Sequence, residues 1–208
     1  KYLFQFLGIL FLIIGLTNPQ IGTNLEEVKR EGIEIVIAID LSNSMLCEDI
    51  KPNRLLRSKQ AINKLIDQLE GDRIGIVIFA GESYTQLPIT SDYSAAKMIL
   101  SNINTKSINT QGTNIAKAIR QSVKSFNFEN EYNKSIIIKT DGEDHEEGAI
   151  TEAKKAAEKG VFIHTLAIGS ENGGPIPLSK GRGYKKDREG NTIVTKPNFV
   201  FLSELAYA

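Results

Sequence analysis

The stretch IEIVIAI at 33–39 leaves this chain few folds to choose from. It is rich in β-branched residues and, past Glu34, carries no polar alternation, the mark of a strand buried on both faces. The run ends on Asp40, and Ser42 and Ser44 follow at alternate positions. A carboxylate buried at a strand end without a partner is costly. Asp40 therefore requires either turn hydrogen bonds or a positive ligand.

Further buried strands follow the same pattern. RIGIVIFAG at 73–81 is apolar after Arg73, SIIIKTD at 135–141 ends on a second aspartate, Asp141, and VFIHTLAIG at 161–169 reads as another strand. YTQLPIT at 84–90 is shorter, and its Pro88 suits an edge position. Between these runs lie helical stripes. Asn53 can cap a helix to about Leu69 with Leu55, Ile62, Leu65, Ile66 and Leu69 on one face. A helix is expected from about Asp92 to Ile103, and another carries Ile115, Ile119, Val123 and Phe126. AITEAKKAAEKG at 149–160 ends at a glycine stop, and YKKDREGNTIVTK at 184–196 reads as a hairpin turning near Gly190-Asn191. Strands alternating with helices predict an α/β, doubly wound, mainly parallel central sheet with helices on both faces. In such sheets ligands bind at the carboxyl ends of strands where the winding reverses. If the strands ending at Asp40 and Asp141 are neighbours at that reversal, both carboxylates face one crevice.

The 208 residues suit one sizeable domain plus an extra segment, and Lys+Arg and Asp+Glu balance at 25 each, so charge points to no nucleic-acid partner. The single cysteine, Cys47, excludes an internal disulfide. Tyr2 to Leu16 is apolar apart from Gln5, Gly8 and Gly15, and has no polar face. Residues 1–19 are expected to be a transmembrane helix whose start is missing. A signal-peptide core and a buried core helix are the alternatives, and the first lacks a small-x-small cleavage site. Residues 20–31 read as a charged linker and 32–208 as the folded domain.

Asp40, Ser42, Ser44, Thr113 and Asp141 offer only oxygen ligands. Such a set suits Mg²⁺, with Ca²⁺ or Mn²⁺ as alternatives, and lacks the thiol or imidazole that zinc favours. Neutral hydroxyls leave a cation electrophilic, with room for one more anionic ligand supplied from outside. Thr113 could also cap a helix from Asn114. The acidic run Glu143, Asp144, Glu146 and Glu147 reads as a solvated loop entering a helix, with His145 as the only acid–base group near the site. His164 reads as a packed core residue, Cys47 as a small apolar filler, and Lys139 as either a carboxylate partner or a snorkelling edge residue.

The pattern Asp-x-Ser-x-Ser, then a distant Thr, then a distant Asp resembles the metal-ion-dependent adhesion site of von Willebrand factor A (VWA) domains. All five positions are filled here, by DLSNS at 40–44, TQGTN at 110–114 and TDGED at 140–144. DIKPNRLLRSKQAI, DRIGIVIFAGESYTQLPITSDYSAAK and DREGNTIVTK resemble the bacterial aerotolerance (Bat-type) VWA proteins, especially the BatB group. The resemblance implies a Rossmann-like fold and a Mg²⁺ site completed by a partner's Asp or Glu. It further implies an inner-membrane protein with its domain in the periplasm, and partners among other Bat proteins and, indirectly, a MoxR-type AAA+ ATPase. A closing strand and a second membrane helix would follow residue 208.

Two enzymatic readings compete. A Mg²⁺-dependent phosphatase of the haloacid-dehalogenase type needs a second Asp where Ser42 stands. A phospho-acceptor role for Asp40 needs further acids where this chain has serines. Neither G-x-x-x-x-G-K-[ST] nor G-x-G-x-x-G occurs. The expected class is a binding module, not an enzyme.

Overall fold

The computed structural model describes residues 2–16, 32–143, 148–178 and 183–208. Residues 31–208 form one unit and 1–30 another. The predicted linker and His145, with Asp144, Glu146 and Glu147, lie outside the described residues.

In the first unit, helix α1 spans Tyr2–Leu16, 15 residues. At 1.5 Å per residue that is about 22 Å, against ~30 Å of bilayer hydrocarbon. Among the described residues no helix is long and apolar enough to cross a membrane, so the expected transmembrane helix is not met by α1 as it stands.

The second unit is built on five strands: β1 (Ile33–Asp40), β2 (Arg73–Phe79), β3 (Ser83–Thr90), β4 (Asn133–Thr140) and β5 (Val161–Ala167). Their order is β3-β2-β1-β4-β5, with β3 antiparallel and every other pairing parallel. Pro88 sits on the edge strand β3, where its missing N–H is tolerated. The chain winds outward from β1 through β2, then returns to the other side of β1 as β4. The reversal therefore falls between β1 and β4.

Alternate residues of β1 serve opposite cores, because side chains in a strand point to opposite faces. Ile35, Ile37 and Ile39 pack with Leu55, Ile62 and Ile66 of α2 (Arg54–Ile66) and Leu100 of α3 (Tyr93–Asn102). Val36 and Ala38 pack with Ile115, Ala118 and Ile119 of α4 (Ile115–Lys124) and Ala149, Ala153 and Ala156 of α5 (Ala149–Ala157). Each fully buried Ile contributes about 2–3 kcal/mol from apolar burial. The two-sided core explains the unbroken apolar run that dominates the sequence.

The element ends show where local patterning stops being a guide. α2 ends at Ile66 rather than Leu69, with the N–H of Asp67 closing the last turn on Asn63. Asn53 caps it as expected, accepting from the Leu56 N–H at 2.8 Å. α4 is capped by Asn114, whose side chain accepts from the Lys117 N–H at 2.8 Å, so Thr113 is not the cap. β4 stops at Thr140, and Asp141 is the first residue beyond it.

His164 is exposed, not a core residue. β5 borders no other strand on its outer side among the described residues, and Phe162, His164 and Leu166 line its open face. Lys139 is buried in β4 and donates from Nζ to the Ala167 carbonyl at 3.2 Å, so it pairs with a backbone carbonyl of β5 rather than with a carboxylate.

Within the predicted 184–196 hairpin Lys186 pairs with Thr192 and the Ile193 N–H donates to the Lys185 carbonyl at 2.9 Å, while its flanks pair with a preceding stretch, Tyr184 with Pro177 and β7 (Val194–Thr195) with β6 (Gly174–Pro175). α6 (Phe199–Ala206) closes the described chain.

Candidate metal centre

Parallel register places the two aspartates. Ile39 lies opposite Lys139, which sets Asp40 beside Thr140 and Asp141 just past the end of the neighbouring strand. The Thr140 hydroxyl donates to Asp40 Oδ2 at 2.6 Å, and the Ser42 N–H donates to Asp40 Oδ1 at 2.8 Å. The second contact turns the chain sharply after β1 and starts a 3₁₀ turn at Asn43–Leu46. It leaves Ser42 and Ser44 on the same side, with their hydroxyl oxygens 2.9 Å apart.

Thr113 arrives from a distant loop that is bolted to the end of β2. The Asn114 N–H donates to the Ala80 carbonyl at 2.8 Å, and the Gly81 N–H donates to the Thr110 carbonyl at 3.1 Å. A Cβ at Gly81 would lie 2.7 Å from the Gln111 carbonyl oxygen, so only glycine allows the loop this close. Ser42, Ser44 and Thr113 then line one small cavity of about 90 Å³, with Gln111, Glu143, Ile176 and Lys185 around it.

All five predicted residues are nearly or fully buried: Asp40 and Asp141 at 0% exposure, Thr113 at 2%, Ser42 at 4% and Ser44 at 5%. The carboxyl of Asp40 is pushed from its ordinary 3.8 up to about 7, first by burial and then by the charge of Asp141, against the hydrogen bonds from Thr140 and Ser42. Part of that rise is the cost of ionising a second buried acid near the first.

Sequence reasoning missed the residue that controls Asp141. Arg54, the first residue of α2, has a fully buried side chain. Its Nη1 donates to Asp141 Oδ2 at 2.7 Å, while Nε and Nη2 form a fork on the Asp49 carboxylate at 2.9 and 2.8 Å. Nη2 also donates to the Thr195 carbonyl at 3.2 Å. Although burial works against it, the Arg54 hydrogen bonds and the Ser170 N–H hold the Asp49 carboxyl below the usual range. A signal was present: a cation in the first turn of a helix opposes the helix dipole and needs an anionic partner to stay there. Cys47 behaves as the expected filler. Its thiol donates to the Gly174 and Pro175 carbonyls at 3.4 Å, and burial pushes its pKa to about 11.

The donor set fits a hard divalent cation. It consists of two aspartates and three neutral hydroxyls, with no thiol or imidazole. Among the described residues no group of three or more His, Cys, Asp or Glu side chains could hold a metal ion. A cation at this site would keep much of its positive charge.

A family profile described as the von Willebrand factor type A domain matches residues 35–143. The chain belongs to the von Willebrand factor type A domain family. BatB from Bacteroides thetaiotaomicron is 46% identical with a TM-score of 0.82, the match covering 85% of this chain and 86% of that one. An aerotolerance-related membrane protein of Bacteroides fragilis is 44% identical with the same TM-score, over 85% of this chain and 87% of its own. A more distant structure, proximal thread matrix protein 1 of the mussel byssus, is described with a zinc-occupied MIDAS motif. It shares the fold at 21% identity and a TM-score of 0.58, over 67% of this chain and 38% of its own. The chain spans about half the length of the curated relatives it matches. A UPF0353 protein of Nocardia farcinica, for example, is 29% identical over 85% of this chain but 56% of itself.

Proposed function

We propose that this VWA domain is a cation-dependent protein-binding module. Asp40, Ser42, Ser44, Thr113 and Asp141 would hold Mg²⁺, with Ca²⁺ or Mn²⁺ as alternatives, and an Asp or Glu of a partner protein would complete the site. The observation that carries this reading is the convergence of Ser42, Ser44 and Thr113 on one small cavity at the strand end where Asp40 is buried. A bound cation supplies an electrophilic centre for an anionic group. The chain's part is to present neutral hydroxyls to it while Thr140 and the Ser42 N–H orient Asp40 and Arg54 orients Asp141.

The likeness to BatB and to a protein described as membrane-bound supports a wider setting. In it, residues 1–19 contribute to a membrane anchor, 20–31 act as a linker, and 32–208 face the periplasm at a bacterial inner membrane. Other Bat-type proteins are the direct partners there, and a MoxR-type ATPase an indirect one.

The test is capture of partners from bacterial membranes by the tagged chain in Mg²⁺ and in EDTA, with Asp40→Ala and Thr113→Ala alongside. Capture should depend on Mg²⁺ and fall in both variants while their folding is retained. Equal capture in EDTA and by both variants would overturn the reading. A phosphatase activity abolished by Asp40→Asn would replace it with an enzymatic one.

A further inference from the structure

A guanidinium carries five N–H groups, and the structure gives each one on Arg54 an acceptor. Nε and Nη2 fork onto Asp49, and Nη1 donates to Asp141 Oδ2. Thr195 takes the other two: Nη2 donates to its carbonyl at 3.2 Å and Nη1 to its hydroxyl oxygen at 3.4 Å. Leaving a buried donor unmade is costly, so an acceptor that moves away sends its N–H to another acceptor in reach.

Thr195 lies in β7 and pairs with Gly174 of β6. The stretch leading into β6 is tied to the same cluster, because the Ser170 N–H donates at 2.8 Å to Asp49 Oδ2, the oxygen that Arg54 Nη2 also holds. The stretch after Thr195 reaches the Asp141 turn through its backbone. The Lys196 N–H donates to Glu143 Oε1 at 3.1 Å, and the Asn198 N–H donates to the Asp141 carbonyl at 2.9 Å. Asp141 and the 195–198 segment are thus joined twice, once by the main chain and once through Arg54.

We infer that Arg54 is a positioning residue that couples the cation affinity of Asp141 to the seating of the 195–198 segment. The inference rests on the cation-dependent reading and adds regulation to it. While the segment is seated, Thr195 engages one N–H of each terminal nitrogen, and Asp141 receives a single hydrogen bond from Arg54. Once it is unseated, those two N–H groups turn to the carboxylates in reach, Asp49 and Asp141. The guanidinium then holds Asp141 more fully against a competing cation. Linkage makes the effect reciprocal, so a bound cation strengthens the seating by the same factor.

Gly173→Ala tests this from outside the site. A Cβ at Gly173, whose φ is +68°, would lie 2.2 Å from the Thr195 carbonyl oxygen and 2.7 Å from Lys196 Cγ. The substitution therefore displaces the segment and leaves Arg54 and the five oxygen-bearing side chains unaltered. Calorimetry on the full chain in detergent should show Mg²⁺ bound about fivefold more weakly. In an Arg54→Lys background, which keeps the charge and loses the fork, Gly173→Ala should change Mg²⁺ affinity by less than about twofold. In wild type, hydrogen exchange at the Ser170, Lys196 and Asn198 amides should slow on adding Mg²⁺. Mg²⁺ affinity untouched by Gly173→Ala, an equal loss in both backgrounds, or exchange indifferent to Mg²⁺ makes Arg54 a structural residue only; each overturns the inference and leaves cation binding standing. Absence of Mg²⁺ binding to wild type overturns the cation reading, and the inference with it.

Discussion

Arg54 and Asp141 lie 87 residues apart in sequence and meet at 2.7 Å with both side chains fully buried. The guanidinium occupies one oxygen of Asp141 and partly neutralises it, while Asp49 shares the same cation. Charge balance at the candidate site is therefore set by a three-residue chain and not by Asp141 alone. Arg54→Met should raise Mg²⁺ affinity about tenfold by removing a nearby positive charge. It should also lower metal-free stability by about 3–5 kcal/mol, the usual result of orphaning buried partners of an ion pair. Asp49→Asn should do the opposite to affinity, because Arg54 then serves Asp141 more fully. Calorimetry, with the thermal shift on adding Mg²⁺, reads both. A fall in affinity in both variants would mean that Arg54 only holds the fold.

Asp40 makes metal-free stability depend on pH. Its folded pKa of about 7 lies above the ordinary 3.8 of an unfolded chain. The contribution to stability is thus fully present below 3.8 and is lost as pH rises through about 7. In EDTA, denaturant titrations between pH 4 and 8 should show wild type losing stability relative to Asp40→Asn across this window. Mg²⁺ should bind more weakly below about pH 7, where the proton competes for the same carboxyl.

Lys139 behaves in the reverse sense. Burial lowers its pKa from 10.5 to about 8, so its penalty is complete at neutral pH. Stability should rise as pH climbs from about 8 towards 10.5, where the unfolded chain releases the same proton. Lys139→Met should stabilise the protein at pH 7 by on the order of 2 kcal/mol. The gain should shrink towards pH 10, as measured by chemical denaturation.

Gly169 should tolerate no side chain. Its φ is +131°, and a Cβ there would meet Pro197 Cγ at 2.4 Å and Arg54 Cζ at 3.0 Å. Gly169→Ala should cost about 2–4 kcal/mol in denaturation through strain and displacement of Arg54. Mg²⁺ affinity should change with it.

The sequence by itself determined the buried parallel strands and the edge position of the Pro88 strand, because each is written in local composition, whereas the five oxygen-bearing candidates were legible as a resemblance to the spaced adhesion-site pattern. A strand covered on both faces must be continuously apolar, so the runs at 33–39 and 135–138 could hardly be anything else. The strand-end aspartates stood out because a buried carboxylate is conspicuous in such a run. Only the tertiary structure decided that β4 lies beside β1, that Asn114 rather than Thr113 caps α4, and that His164 faces outward from the open side of β5. It alone revealed Arg54, since a guanidinium in a helix's first turn names no partner until Asp49, Asp141 and Thr195 are folded onto it. The division is physical. Burial and hydrogen-bond capacity are properties of a residue and its near neighbours, whereas which distant charge pairs with which is settled by packing the strands together.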